Sequence, residues 1–424
     1  MYVGVWIAMN FSSISLSKIV AILTIGMAFT VVVVGSVSVS VTNQNRVAMG
    51  VQAHGTSIAG MTRKEVHEFF QKEAQQALKR QAAVLTYKNR HWNIAPADID
   101  LHGNVNEAAE AAYAIGRDQD SITNMITQMT CALFGRNITM TASFDKDKLA
   151  AQLAKIEQQL HTEPVNAEAQ LQKNGTIKKT PSVTGLTLDT APIAAELTPQ
   201  FEALKLTAKV TLQPKEQPPF IMDADLAAID SVLASYTTRF YPGDRGDNIG
   251  LAASHLQGAL IRSQSTLSFN NIVGQRTYDA GYKDAGVIID GEHRTDVGGG
   301  VCQVSSTLYN AILLAGMTPT ERSNHSLPSA YVPVGRDATV ADNLLDFAFR
   351  NPLPHPVYLR VANTGSALTI YVLGTKADLQ GQTIALVTEG SAQNPSLYRI
   401  WKKDGQVVDR EYLHTDHYSD PQET

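Results

Sequence analysis

TDVGGGVCQVSSTLYNAILLAG, which runs from Thr295 to Gly316, joins a clear helix pattern to one of the two cysteines of the chain. Three glycines lead into Cys302, and apolar residues then recur at steps of three and four, which predicts a mostly buried helix that ends at Gly316. Cys302 would lie in the first turn, where the partial positive charge of a helix start favours a thiolate. A small apolar residue packed beneath a glycine turn fits the same pattern. The stretch alone leaves both interpretations open.

Two ionisable residues follow this helix in an order that suits thiol chemistry. His325 and then Asp337 come after Cys302, with strand-like residues Tyr331–Val334 between them. Thiol catalysis needs a base that takes the thiol proton and an acid that holds the imidazole tautomer. We therefore predict Cys302, His325 and Asp337 as nucleophile, base and orienting acid. The backbone N–H groups of Cys302 and Gln303 are predicted to hold an oxyanion.

The same residues also have ordinary structural interpretations. Asp337 can form an ion pair with Arg322 or Arg336, and His325 can cap a turn before Ser326. A pure binding protein would use these side chains without any reaction. The sequence does not choose between the two.

Residues around the helix start and the downstream loops are predicted to contact a ligand. Arg294, Arg322 and Arg336 offer paired N–H donors to a carboxylate, such as a peptide C-terminus. The candidate ligand-binding residues are Gly299, Gly300, Gln303, Ser305, Arg322, Ser326, Tyr331 and Arg336.

Neither a metal nor a cofactor is predicted. His293, Asp296 and His325 do not have the helical or two-step spacing of a metal site. No lysine follows the glycine run, so it is not a phosphate-binding loop.

Composition limits the choice of partner and compartment. The 424 residues include 35 basic and 40 acidic side chains, for a net charge of -5, and no basic stripe with aromatics appears. Nucleic acid is therefore not a predicted partner. The two cysteines, Cys131 and Cys302, do not make a disulfide framework, and a bond between them would occupy the candidate nucleophile.

The N-terminus contains an uncharged segment. Residues 19–41, IVAILTIGMAFTVVVVGSVSVSV, are close to the roughly 20 residues that cross a bilayer as a helix. We predict a single-pass transmembrane anchor in the cell membrane, with the rest of the chain outside the cytoplasm. A cleaved signal peptide is the alternative, although its apolar core is usually shorter.

The remaining chain alternates helix, hairpin and strand patterns, which predicts an α+β protein. Two small α+β units repeat a helix and a hairpin, and a mixed domain with an antiparallel sheet around a central helix follows. The predicted parts are an N-terminal tail and anchor (1–45), a first repeat (46–145), a second repeat (146–215), the mixed domain (220–378) and a C-terminal hairpin and tail (379–424).

Several motifs in the mixed domain agree with one family in the same order. DVGGGVCQVSSTLYNAILLAG, followed by ERSNHS, YVPVGRDATV and DFAFRN, closely resembles the VanW family. The segment from Val51 to about Leu212 is similar to a peptidoglycan-binding domain that often precedes VanW domains. One departure is Gln264–Asn270, which lacks the Pro-Gly-Glu turn that the family tends to have.

The resemblance implies a cell-envelope protein but supplies no reaction. One hypothesis is a membrane-anchored protein that binds peptidoglycan or its peptide stems, accessory to wall metabolism or glycopeptide resistance. The alternative is a cysteine-dependent hydrolase or transpeptidase-like enzyme acting on wall peptides through Cys302, His325 and Asp337.

Overall fold

The computed structural model describes residues 17, 20–27, 30, 34–35, 44–289 and 292–419, and of residues 288, 289, 292 and 293 the backbone only. Most of the predicted transmembrane segment, residues 19–41, lies outside this description. None of the helices in the described ranges has both the length and the apolar character needed to cross a membrane.

Helices and strands alternate along the described chain, as an α+β protein requires. The helices are α1 (Arg63–Ala77), α2 (Val105–Ala114), α3 (Ser121–Phe134), α4 (Lys146–Leu160), α5 (Ala191–Glu202), α6 (Asp223–Leu226), α7 (Asp244–Leu256), α8 (Phe269–Val273) and α9 (Val301–Leu314). Short 3₁₀ helices span Pro96–Ile99 and Lys376–Leu379.

The strands are mostly short in the first half and longer toward the C-terminus. They are β1 (Val51–Ala53), β2 (Thr56–Ser57), β3 (Ala83–Tyr87), β4 (Arg90–Ile94), β5 (His102–Gly103), β6 (Arg136–Ile138), β7 (Ala142–Ser143), β8 (Glu168–Leu171), β9 (Ile177–Thr180), β10 (Gly185–Thr187), β11 (Ala208–Thr211), β12 (Lys215–Gln217), β13 (Ser231–Arg239), β14 (Leu260–Ile261), β15 (Thr266–Ser268), β16 (Asp284–Ile289), β17 (Glu292–Val297), β18 (Thr318–Glu321), β19 (Ala348–Arg350), β20 (Val357–Asn363), β21 (Ala367–Gly374), β22 (Gln382–Gly390), β23 (Pro395–Lys403) and β24 (Gln406–Thr415).

The chain divides into two compact units. The first contains Met1–Thr162 and Leu186–Glu216, and the second contains Glu163–Gly185 and Gln217–Thr424. This division separates the predicted second repeat, residues 146–215: its helix α4 belongs to the first unit and its hairpin β8–β9 to the second. The predicted boundaries of the other parts stay predictions.

The first unit is built from helices packed on small sheets. Thr62 and Glu65 form a capping box at the start of α1. Strand β3 pairs with β4 as an antiparallel hairpin and with β11 in parallel. Two apolar cores result, one containing Phe70 on α1 and the other Phe201 on α5.

The second unit surrounds α9 with antiparallel sheets, as predicted. Its largest sheet is the four-stranded antiparallel sheet β13-β21-β20-β14, and α9 packs against β13 and β21. The three-stranded sheets β15-β19-β18 and β22-β23-β24 and the hairpins β8–β9 and β16–β17 also belong to this unit. Nearly every residue of α9 is buried, because sheets or helices cover all of its faces.

Glycines set the approach to α9. A Cβ on Gly299 would lie 2.5 Å from the carbonyl oxygen of Ala285, so only glycine fits there. Gly300 caps the helix with a φ of 109°, a conformation that side chains rarely adopt. Cys302 therefore occupies the second position of the helix, in the first turn where the sequence places it.

Two local predictions need correction. Tyr331–Val334, expected to be strand-like, forms turns and irregular backbone. The residue pattern of Asp223–Leu233 predicts one short helix, but the helix ends at Leu226, because Ser231–Arg239 pairs along β21 as strand β13.

Candidate active site

Cys302 lies at the wall of a cavity of about 860 Å³ in the second unit. The residue is half-buried, and its Sγ lies 3.4 Å from the carbonyl oxygen of Val340. Its side chain also hydrogen-bonds with that of His325. The thiol is thus within reach of a base and faces a space large enough for a ligand.

Asp337 holds His325 at two points. Nδ1 of the imidazole lies 2.6 Å from Oδ2 of Asp337, and the same oxygen accepts the His325 backbone N–H at 2.7 Å. Because Nδ1 is engaged by the carboxylate, Nε2 is the nitrogen left for the Cys302 thiol. The structure therefore brings the three predicted residues together in the order of a cysteine, histidine and acid triad.

The electrostatics of this triad favour a thiolate next to an imidazolium. Burial opposes ionisation of Cys302, but the hydrogen bond and charge of His325 outweigh it and lower the pKa of the thiol. Burial would lower the pKa of His325, yet hydrogen bonds to Asp337 and Cys302 raise it to about 9. Burial would raise the pKa of Asp337, and His325 and Arg322 nevertheless lower it. Each partner thus favours the charged form of its neighbour.

Serines of α9 fasten the Asp337 loop to the helix. Ser305 Oγ donates to the carbonyl of Ala338 at 2.6 Å, and Ser306 Oγ accepts the Ala338 N–H at 2.9 Å. Both serines also donate to the carbonyl of Cys302. The residue after Asp337 is therefore held directly against the turn that carries the nucleophile.

A buried layer behind Asp337 comes from the C-terminal end of the chain. The hydroxyl of Tyr418 donates to Asp337 Oδ1, and Arg322 Nη2 lies 3.2 Å from the same oxygen. Asp416 pairs with Arg322 through both carboxylate oxygens. Burial would raise the pKa of Asp416, but His414 and Arg322 lower it to about 2. The tail thus completes the support of the triad.

Sequence analysis did not assign Asp416, Tyr418 or His414 to the site. They lie in HTDHY at the end of the predicted hairpin, about eighty residues beyond Asp337. The dense ionisable and aromatic composition of that pentapeptide is the sequence signal from which they could have been found.

The predicted ligand-binding residues separate into two groups. Gly300, Ser326 and Tyr331 line the cavity together with Cys302 and His325. The others do not line it: Gly299 packs on Ala285, and Gln303, Ser305, Arg322 and Arg336 make hydrogen bonds within the protein.

Two different arginines line the cavity instead. Arg276 forms an ion pair with Asp342 and also donates to Asn270. Arg245, at the start of α7, donates to Gln303. Asp296 and the hydroxyls of Ser329 and Thr339 add further polar groups to the wall, and both hydroxyls are buried without a hydrogen-bond partner in the described chain.

The predicted pair of oxyanion donors is reduced to one. The Gln303 N–H donates to the Gly300 carbonyl at 3.0 Å and is therefore occupied. The Cys302 N–H lies in the first turn of α9 and has no acceptor among the described residues. One backbone donor next to the nucleophile is thus available to a developing negative charge.

The described residues show neither a disulfide at Cys302 nor a metal-ligand cluster at His325. Cys131 and Cys302 are both free thiols. No cluster of three potential metal ligands occurs in the ranges that the structure describes, and the side chain of His293 lies outside them.

Comparisons with known proteins identify two known domains in the chain. A family model described as VanW like protein matches residues 244–373, and one described as Putative peptidoglycan binding domain matches residues 92–199. YoaR of Bacillus subtilis (strain 168), itself described as uncharacterized, is 34% identical over 260 residues, covering 59% of this chain and 84% of the relative.

A second relative carries a functional name. The Vancomycin B-type resistance protein VanW of Enterococcus faecalis (strain ATCC 700802 / V583) is 28% identical over 206 residues, covering 44% of this chain and 74% of the relative. No solved structure matches the chain.

Proposed function

Because the chain belongs to the VanW family and carries a peptidoglycan-binding domain, it is a cell-wall-associated protein, and we propose that Cys302 performs thiol chemistry on wall peptides. One observation supports the proposal above all others. The Cys302 thiol hydrogen-bonds with His325, whose second nitrogen lies 2.6 Å from Asp337, at the wall of a cavity of about 860 Å³.

The proposed reaction proceeds through an acyl-enzyme. His325 takes the thiol proton, and the thiolate attacks the carbonyl carbon of a wall-peptide amide. The Cys302 N–H stabilises the oxyanion, and His325 returns the proton to the nitrogen as the carbon–nitrogen bond breaks. Water or a second peptide amine then displaces sulfur from the thioester. Water gives hydrolysis and an amine gives transpeptidation, and neither requires a cofactor.

The peptidoglycan-binding domain and the N-terminus have separate proposed roles. Residues 92–199, which match the peptidoglycan-binding domain, bind peptidoglycan and keep the candidate active site close to its substrate, which raises the local concentration of wall peptides. Residues 19–41 anchor the chain in the cytoplasmic membrane as a single-pass segment, with residues after 44 outside the cell.

A second candidate is a wall-binding accessory protein without catalytic activity. The match to a peptidoglycan-binding domain favours it, because that domain supplies binding without chemistry. A contribution to glycopeptide resistance rests only on the printed name of the enterococcal relative.

Incubation of the protein with purified wall fragments separates these functions. Wild type and Cys302→Ser are compared for retention on the fragments and for release or exchange of peptide products by mass spectrometry. We expect equal retention and product formation by wild type only, with Cys131→Ser as the matched control that stays active. Equal retention and no product from any variant would leave the accessory function and exclude the catalytic one.

A further inference from the structure

Arg245 lies in the wall of the Cys302 cavity and is half-buried there. Its guanidinium carbon is 5.8 Å from the centroid of the Tyr331 ring. Burial lowers the pKa of Arg245, although Tyr331 and Cys302 oppose that effect. A partly desolvated cation therefore stands close to the candidate nucleophile.

Arg245 differs from the other arginines of the site in its partners. Arg276 pairs with Asp342, and Arg322 pairs with Asp337 and Asp416. No carboxylate lies within ion-pair distance of Arg245 in the described part of the chain, where its hydrogen-bond partner is the neutral amide of Gln303. A partly buried guanidinium without an anion is energetically costly, and an incoming anion would remove that cost.

Gln303 fixes the orientation of this guanidinium. Its Nε2 donates to Thr238 Oγ1 at 3.0 Å and to the Arg239 carbonyl at 2.9 Å, so its Oε1 faces Arg245 Nη1 at 2.7 Å. Among the residues that the structure describes, none accepts from Nε or Nη2 of Arg245, and these two donors together match the two oxygens of a carboxylate. Gln303 was predicted to contact the ligand; in the structure it orients Arg245, which lines the cavity.

We propose that Arg245 binds a carboxylate of the ligand and that the cavity selects short wall peptides with a free carboxylate near the carbonyl approached by Cys302. The remaining polar lining suits the rest of such a peptide. Asp296 offers an acceptor for an amine, and the hydroxyls of Ser329 and Thr339 offer hydrogen bonds to a backbone. The proposal rests on the proposed function for the bond attacked, but carboxylate binding itself requires no reaction.

Two alkylating agents that differ in charge test the cation directly. Iodoacetate carries a carboxylate and iodoacetamide does not, and each forms a sulfur–carbon bond at Cys302 with loss of iodide. The rate at the Cys302 peptide is followed by mass spectrometry in the full-length protein. The ratio of the two rates cancels any change in the thiolate fraction, because both reagents react with the same thiolate.

We expect Arg245→Met to lower the iodoacetate to iodoacetamide ratio by about tenfold or more. Arg245→Lys should give an intermediate ratio, since lysine keeps the positive charge and lacks the paired N–H donors of a guanidinium. Arg350→Met, which removes an exposed arginine outside the cavity, is the matched control and should leave the ratio unchanged. A ratio that is equal in wild type and Arg245→Met would overturn the proposal.

Peptide binding to Cys302→Ala provides a measurement that does not depend on thiol reactivity. A soluble stem peptide with a free C-terminal carboxylate is compared by calorimetry with the same peptide as an amide. We expect about tenfold tighter binding of the acid, lost in the Cys302→Ala, Arg245→Met double variant. Equal affinity for both peptides, or binding of neither, would contradict carboxylate recognition. If Cys302→Ala prefers the acid but the wild-type protein forms no product from wall peptides, only the proposed catalysis is rejected.

Discussion

Oδ2 of Asp337 accepts two hydrogen bonds from a single residue, the backbone N–H of His325 at 2.7 Å and its Nδ1 at 2.6 Å. The two contacts fix the rotation of the imidazole as well as its tautomer. Both side chains are nearly inaccessible to solvent, at 7% and 1% exposure, so water does not compete for these bonds. The orientation of Nε2 toward Cys302 therefore depends on this carboxylate.

Asp337→Asn is expected to reduce product formation by about 10³-fold or more while the chain still folds. An amide offers an N–H where the carboxylate accepted one, and this favours the wrong imidazole tautomer. Wall-peptide cleavage or exchange measures the effect. The matched control is Asp378→Asn. Asp378 also forms an ion pair with a histidine, His355, at 2.9 Å, but that histidine is exposed and lies outside the cavity. Comparable activity in Asp337→Asn and wild type would show that Asp337 has no part in the reaction.

The pH dependence of Cys302 alkylation is expected to report the coupling to His325. The pKa of Cys302 lies below its ordinary value, so the thiolate appears at lower pH than for a free cysteine as pH rises. The imidazolium persists until pH rises through the His325 pKa of about 9. Between those two values the thiolate and imidazolium coexist, and the alkylation rate should be nearly constant with pH.

His325→Ala should move the alkylation profile of Cys302 upward. Without the imidazole, burial dominates and raises the pKa of the thiol, so iodoacetamide reacts more slowly at neutral pH. His355→Ala serves as the control and should retain the wild-type profile. A profile for His325→Ala that superimposes on wild type would mean that the two side chains are not coupled in solution.

Sequence reasoning succeeded where the signal was local. Helix α9, its start near Cys302 and its termination at Gly316 follow from a glycine run and a 3.6-residue period within some twenty residues. His325 and Asp337 were chosen from chemical type and order; the structure places them beside each other and beside Cys302, and their catalytic role stays a proposal. Each of these inferences needed only residues close in the chain or a known pattern of roles.

The unpredicted features depend on contacts between distant segments. Tyr418 reaches Asp337 from 81 residues away, and Arg322 is neutralised by Asp416 from 94 residues away. Arg322 was therefore predicted to bind a ligand carboxylate although a carboxylate of the chain already occupies it. Arg245 was missed for the converse reason, since only the folded structure shows that none of the described carboxylates lies within ion-pair distance of it.

Tyr418→Phe is expected to lower activity by about tenfold without unfolding the chain. The change removes the hydroxyl that donates to Asp337 and Asp416 and accepts the Gly335 N–H, and it leaves the ring in its buried place. Because Tyr418 acts through Asp337, the upper limit of the alkylation plateau should also shift, which a purely structural role would not cause. Tyr412→Phe, which removes an exposed hydroxyl bonded to Thr415, is the control. If both the pH profile and the activity were unchanged, Tyr418 would contribute packing only and would not influence the triad through Asp337.

Asp416 is expected to contribute acid-sensitive stability. Its folded pKa of about 2 lies below the ordinary aspartate value of 3.8, so its contribution is present above pH 3.8 and is lost as pH falls through about 2. The difference corresponds to about 2 kcal/mol. Denaturant unfolding at pH 6 and pH 3 measures it, with Asp409→Asn as an exposed control on the same hairpin. Asp416→Asn should lose stability mainly at pH 6 and show a weaker pH dependence than wild type.

Gly299→Ala tests whether close backbone approach positions the nucleophile. The new Cβ would lie 2.5 Å from the Ala285 carbonyl oxygen, so the backbone at the start of α9 must move. We expect a loss of about 1–3 kcal/mol in the free energy of unfolding, the usual cost of overpacking, together with slower alkylation of Cys302. Gly286→Ala is the matched control for stability on β16, because a Cβ there meets nothing within 4 Å. If Gly299→Ala retained wild-type stability and thiol reactivity, the contact between β16 and the glycine run would not determine where Cys302 lies.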